Sequence, residues 1–462
     1  MPKGIQTISP IDNKVIVERD FANSKAIETT LTQAQAAQNN WQAMSLTDRK
    51  AICTKAVDAF VAKREDIARE ICLQMGRPIR FAAGEVGGLE ERARTMIKLA
   101  DQGLATVRLP EKEGFDRWIQ REPLGVVFVI APWNYPYLTA INAIMPAILA
   151  GNTVVLKHSA QTPLCAERLF EAFQAGGLPD GVFQFLHLSH ADTERIIKDS
   201  RVNYIAFTGS VPGGAMVEKA AAGRFIGCGL ELGGKDPAYI REDADIAQAV
   251  DTAMDGAFFN SGQSCCGIER IYVHEKVYDA FLAGAIEWVN GLKLGRSDEP
   301  ETTMGPVVRA SAAEFIREQI KEAIDQGAVP HIDVKKFPAD KPGTAYLAPQ
   351  ILTNVDHTMR VMTEESFGPV VGIQKVSSDE EAIQLMNDSE FGLTACIFTT
   401  DYTRGVELGQ QVQTGTFFIN RCDYLDPELA WTGIKNSGHG CTLSALGYES
   451  LTRPKSFHIK TI

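Results

Sequence analysis

The sequence predicts an α/β protein with two parallel-sheet domains. Three observations lead there. Several short runs are apolar at every position rather than alternately, as in Gly125-Val126-Val127-Phe128-Val129-Ile130 and Thr153-Val154-Val155-Leu156. Segments of helical periodicity separate those runs. The pattern resumes after Asp243 as a second series. Strands apolar on both faces belong in a sheet covered by helices on both sides, and regular strand–helix alternation makes that sheet parallel.

Residues 24–43 place Ile27, Leu31, Ala34 and Trp41 at helical spacing, and residues 46–75 carry Ile52, Val57, Phe60, Val61, Ile67 and Ile71 the same way. Each stretch reads as one amphipathic helix, and another covers 85–103. Around Arg117 to Arg121 polar and apolar residues alternate, which predicts a strand with one wet face. The apolar strand 125–130 ends at Ala131-Pro132-Trp133-Asn134-Tyr135-Pro136. Then follow helix 138–150, strand 153–157, helix 163–175, strand 182–186, helix 195–200, strand 204–207 and helix 211–222. In the second series the helices are 243–259, 276–292, 309–326 and 379–388. Its strands lie near 270–273, 346–352, 370–376 and 394–398, and 291–306 and 335–343 read as loops.

Composition agrees. The chain has 462 residues, 45% of them AVILMFWYC and 23% charged, enough apolar material for several cores and unlike a disordered or fibrous protein. Lys plus Arg is 46 against 58 for Asp plus Glu, a net charge of −12 that argues against nucleic acid as a partner. No stretch approaches the ~18 unbroken apolar residues of a membrane helix, and the residues after Met1 lack the apolar core of a secretory signal. The 9 cysteines form no C-x-x-C pair and the 8 histidines no H-x-x-x-H array. No metal site is expected, and a reducing cytoplasm is the expected compartment.

Four segments carry candidate chemistry. Gly262-Gln263-Ser264-Cys265-Cys266 sets thiols after a glycine turn, as a nucleophile or as ordinary core cysteines. Glu231-Leu232-Gly233-Gly234-Lys235 sets a carboxylate before paired glycines, as a catalytic group or a turn residue. Pro132-Trp133-Asn134 follows a buried strand, where open α/β sheets take their ligands, although Asn and Pro also suit a plain turn. Gly209-Ser210-x-x-x-Gly214 lies between a strand and a helix, where backbone N–H groups can hold a pyrophosphate.

Together, Pro132-Trp133-Asn134-Tyr135-Pro136, Phe207-Thr208-Gly209-Ser210-x-x-x-Gly214, Glu231-Leu232-Gly233-Gly234, Gly262-Gln263-x-Cys265 and Glu365-x-Phe367-Gly368-Pro369 occur in order. With them the chain resembles the aldehyde dehydrogenase superfamily essentially from end to end. The resemblance implies two Rossmann-like domains, a dinucleotide-binding one (1–103 and 123–233) and a catalytic one (234–440). It adds a small discontinuous oligomerisation β element (104–122 and 441–462), and with it a homodimer or homotetramer. The reaction it implies is NAD(P)-dependent oxidation of an aldehyde to a carboxylic acid. A thiolate must add to the aldehyde carbon before that carbon can give up a hydride, and Cys265 is the matching nucleophile. The Asn134 side-chain amide and the Cys265 backbone N–H match the oxyanion donors. Glu231 matches the general base that hydrolyses the resulting thioester. CoA-acylating members generally lack this glutamate, so release as a free acid is favoured.

The same resemblance sets Lys157 on the adenine ribose, and Gly209, Ser210 and Gly214 on the pyrophosphate. Trp133 and Leu232 border the cofactor channel, and Glu365 and Phe367 meet the nicotinamide ribose and ring. Ala160 stands where NAD-preferring members carry Glu. Its lack of charge removes repulsion against a 2′-phosphate and predicts acceptance of NADP, up to a preference for it, with NAD still usable. Tyr137, Cys266, Arg421 and Trp431 are the candidates to line the substrate tunnel. Arg421 meets a semialdehyde carboxylate, or else makes a surface or inter-subunit salt bridge. Cys266 is a bystander, or forms a vicinal disulfide with Cys265. Two departures stand out: Ala143 replaces a lysine common among relatives, and Ala430-Trp431-Thr432-Gly433 replaces Pro-Phe-Gly-Gly. The overall flavour is that of the succinate-semialdehyde branch. Competing readings are a cysteine-dependent esterase or thioesterase, and a non-catalytic binding protein on the same fold.

Overall fold

The computed structural model describes residues 3–461. Two sheets organise it. In the first, Val126–Ala131 is buried at every position and runs parallel between Thr153–His158 and Val202–Thr208. Phe183–Phe185 closes one side in parallel, and Gly227–Glu231 extends the other. Gly438–His439 adds an antiparallel edge beside Glu231. Helices Leu46–Val61, Gly84–Gly103 and Pro136–Leu149 share one core on a face of this sheet, while Leu31, Ile196, Ile205 and Val217 belong to a core on the other. The uniformly apolar strands follow from that double cover.

The second sheet runs in the order Val329–Pro330, Gln350–Thr353, Val370–Val376, Ile268–His274, Asp236–Ile240, Thr394–Phe398, Thr416–Ile419. Its pairs are parallel except the first. A third, antiparallel sheet pairs Thr452–Lys460 with Phe115–Pro123 along its whole length, with Val107–Arg108 outside. Trp118 stacks on Phe457 there at 4.6 Å. Among the described residues no helix is long and apolar enough to cross a membrane.

Several elements differ from the sequence expectation. The stretch 46–75 is two helices, Leu46–Val61 and Arg64–Met75, because Lys63 leaves helical geometry (φ −98°, ψ 16°). The apolar spacing continues through the break, since both helices bury residues against the same core. The helix expected at 195–200 is His190–Ile197, started by Ser189, whose side chain accepts from the Asp192 N–H. The strand expected over 346–352 is only Gln350–Thr353. Gly227–Glu231 was not expected at all. Its glycines have low strand propensity, yet a Cβ at Gly229 would stand 2.5 Å from the Tyr204 hydroxyl, so only glycine admits that ring. The expected 441–462 element is also divided: Leu443, Tyr448 and Leu451 return to the first core, and Thr452–Lys460 alone forms the outlying strand.

Candidate active site

Three loops converge between the two large sheets. Asn134 lies just beyond Val126–Ala131, Glu231 ends Gly227–Glu231, and Cys265 follows the tight turn Phe259–Gly262. Asn260, Ser261 and Gly262 are all left-handed there (φ 53°, 58° and 71°). A Cβ at Gly262 would stand 2.3 Å from the Gly368 carbonyl, so this turn requires glycine. Cys265 and Glu231 sit where two clefts meet, of about 1120 and 940 Å³.

Buried contacts hold the centre. Asn134 Nδ2 donates to the Gln263 carbonyl at 3.2 Å, and the Asn134 backbone carbonyl accepts from Arg77 Nη2 at 2.7 Å. Arg77 is ion-paired with Glu85, both almost wholly buried. Glu85 Oε1 accepts the Tyr137 and Leu138 N–H groups at 3.0 Å, a carboxylate on a helix N-terminus. The Glu231 carboxylate accepts from Thr208 Oγ1 at 3.0 Å and Thr442 Oγ1 at 2.6 Å. Burial pushes its pKa above the ordinary carboxylate value, against the pull of those hydroxyls and of Arg92. The Cys265 thiol is held well above its ordinary pKa by the neighbouring Cys266 side chain, by burial and by Glu231. Cys266 is buried, with Sγ 3.5 Å from Ser264 Oγ.

The larger cleft is lined by Trp133, Gly209, Ser210, Leu232, Glu365 and Phe367. Ser210 caps helix Val211–Ala221, whose N-terminus opens on it. Gly214 packs beneath, where a Cβ would stand 2.7 Å from the Leu232 side chain. Glu365 Oε1 accepts the Gly234 N–H at 3.0 Å, and burial raises this carboxyl to a pKa of about 8. Phe367 stands edge-on to Trp133 at 5.7 Å. Its N–H is held at 2.8 Å by Glu269, itself ion-paired with buried Lys235. Lys157, at the end of Thr153–His158, has no hydrogen-bond or acidic partner among the described residues, and burial lowers its pKa to about 8. A helix N-terminus capped by Ser210 and a buried carboxyl with one unused oxygen border this cleft, and the unpaired cation Lys157 lies outside its lining; together they fit a ligand that carries phosphates and sugar hydroxyls. Ala160 is exposed and its carbonyl accepts from Thr7 Oγ1 at 2.9 Å, with no carboxylate at that position.

The model of the aldehyde dehydrogenase family matches residues 2–457. The chain belongs to that family. An aldehyde dehydrogenase of Paenarthrobacter nicotinovorans is 34% identical, over 98% of this chain and 99% of that protein. A succinate-semialdehyde dehydrogenase [NADP(+)] of Deinococcus radiodurans is 32% identical, over 97% and 93%. The crystal structure of succinic semialdehyde dehydrogenase from Streptococcus pyogenes in complex with NADP+ superposes with a TM-score of 0.94 at 31% identity, covering 99% of this chain and 100% of that one.

The second cleft of this aldehyde dehydrogenase corrects two tunnel candidates. Trp431 and Cys266 line it. Tyr137 does not. The helix begins at Pro136 rather than 138, which turns Tyr137 into the core, edge-on to Phe60 at 4.9 Å, and leaves Tyr135 on the cleft. Arg421 is exposed and its guanidinium lies 3.9 Å over the Tyr424 ring, outside the lining. The arginine that lines the cleft is Arg92, from the buried face of Gly84–Gly103. Sequence reasoning passed over Arg92, Asn142, Arg77 and Glu85, for which no motif or spacing gave a signal. A charge inside a helical pattern is ordinarily a solvated one.

Proposed function

We propose that this chain oxidises an aldehyde to a carboxylic acid with NAD or NADP, through a Cys265 thiohemiacetal and thioester, and releases the product by hydrolysis. The observation that carries this is the place of Cys265 and Glu231 at the junction of the two clefts. Cys265 takes the aldehyde carbon. The Asn134 amide, fixed through Gln263 and Arg77, stabilises the oxyanion. When bound, an oxidised nicotinamide would supply the hydride acceptor. Glu231 then takes a proton from water for hydrolysis. Lys157, the Gly209-Ser210 turn and Glu365 would hold the dinucleotide.

Absorbance of the reduced nicotinamide, measured over an aldehyde panel with both cofactors, tests this reading; no turnover of any aldehyde with either cofactor refutes it. The relatives' names support a small aliphatic aldehyde or semialdehyde, such as succinate semialdehyde, as substrate. Greater activity on acetaldehyde would overturn the semialdehyde part and leave the reaction standing. Ala160→Glu should lower NADP selectivity over NAD by about tenfold or more, because the new carboxylate would oppose the 2′-phosphate. Unchanged kcat/KM ratios would remove Ala160 from cofactor choice.

We also propose that Thr452–Lys460, mostly exposed and at the open edge of its sheet, forms with the half-buried Phe115–Pro123 the element through which a homodimer or homotetramer assembles. A monomer by light scattering would exclude it. A cytoplasmic enzyme with a dinucleotide-binding and a catalytic domain completes the reading.

A further inference from the structure

Asn142 is 1% exposed on helix Pro136–Leu149, and it lines the substrate-side cleft with Arg92, Glu231 and Cys265. Its amide orientation follows from its neighbour. Arg92 Nη1 donates to Asn142 Oδ1 at 3.1 Å and to the Leu138 carbonyl at 2.9 Å. A guanidinium accepts nothing, so the Asn142 oxygen faces it and the NH₂ faces away. That Nδ2 has no hydrogen-bond partner among the described residues. A buried amide donor without an acceptor is costly and calls for a reason.

We propose that Asn142, oriented by Arg92, is a positioning residue for the hydrolytic half of the reaction, presenting its Nδ2–H to the Glu231 carboxylate and the water that Glu231 activates. The inference rests on Glu231 being the general base. In that step the water oxygen adds to the thioester carbon and one water proton passes to Glu231. The C–S bond then breaks, and its electron pair returns to the Cys265 sulfur. Glu231 must therefore be anionic and correctly turned before each hydrolysis. The Thr208 and Thr442 hydroxyls each occupy one of its oxygens. Arg92 is the cation acting on it, and Cys265, Cys441 and Tyr204 are its titratable neighbours. Burial favours the neutral acid, and a donor from Asn142 would favour the carboxylate. The adjoining Ala143 brings no charge from this helix.

Asn142→Leu keeps the side-chain bulk and removes the amide. Steady-state kcat should fall at least tenfold while the single-turnover hydride burst keeps its rate. The acid limb of kcat against pH should move up by about half a unit or more, since loss of a donor to the charged form raises the pKa of Glu231. Asn142→Gln, which retains an amide, should recover part of both effects. Arg92→Lys should lower kcat and move the limb in the same direction, and add nothing further in the Asn142→Leu background, as expected for residues acting through one contact. An unmoved acid limb in Asn142→Leu overturns the proposal, as does a burst slowed as much as kcat. Additive effects of the two changes overturn the part given to Arg92. If Asn142→Leu does not fold, Asn142→Ala carries the same readouts. Glu231→Gln tests the underlying reading separately: turnover that survives it places the failure there and not at Asn142.

Discussion

Glu231→Gln is expected to keep the first burst of reduced cofactor and to slow steady turnover by about 10²–10⁴-fold. The burst reports addition of the Cys265 sulfur and hydride loss, neither of which needs a base at Glu231 once the thiolate has formed. Hydrolysis of the thioester does need one. Glutamine has the same shape, and the Thr208 and Thr442 hydroxyls can turn to accept as well as donate, so the contacts at 3.0 and 2.6 Å need not be lost. The substitution therefore removes proton acceptance with little change in packing. The pH dependence has a defined sign. Burial raises the Glu231 pKa, so the base is protonated at acid pH, and turnover should rise as pH increases through that pKa. Glu231→Gln should abolish this acid limb. A variant that turns over normally would show that another group activates the water.

The three central residues were legible because each sits in a short segment whose residue types have few other uses in combination. Thiol, carboxylate and amide, each beside a glycine turn or a strand end, are recognisable before any contact is known. The fold was legible for a related reason: runs such as Val126–Ala131 are apolar on both faces, and only a covered parallel sheet accommodates that. What failed was whatever depends on rotation about a helix or on partners distant in sequence. Tyr137 and Tyr135 exchange places on a shift of two residues in the helix start. A proline in the first turn (Pro136) marks that start. Arg92 and Asn142 come from different helices and meet only in the packed core. Gly227–Glu231 is a strand because Tyr204 fills the space its glycines leave, which no propensity scale records.

Arg77→Met is expected to cost about 3–5 kcal/mol of stability, the usual result of leaving one member of a buried ion pair alone. Arg77 and Glu85 are 2% and 1% exposed, so water cannot replace the lost partner. The damage extends to the reaction centre, because Arg77 also donates to the Asn134 carbonyl at 2.7 Å and to Asn260 Oδ1 at 3.2 Å. Once those donors are gone, the Asn134 amide is less firmly placed, and loss of a single oxyanion donor costs about 10²–10³ in kcat. The variant should therefore show a lower denaturation midpoint in urea and a reduced kcat with KM little changed. The double variant Arg77→Met/Glu85→Gln separates the two effects. It carries no buried charge, and the glutamine oxygen can still accept the Tyr137 and Leu138 N–H groups. Stability should thus recover in part, while kcat stays low because the Asn134 backbone carbonyl keeps only its longer contact, from Asn260 Nδ2 at 3.3 Å. If kcat recovered together with stability, Arg77 would serve the fold alone. If neither measurement changed in the single variant, the buried pair would hold nothing in place.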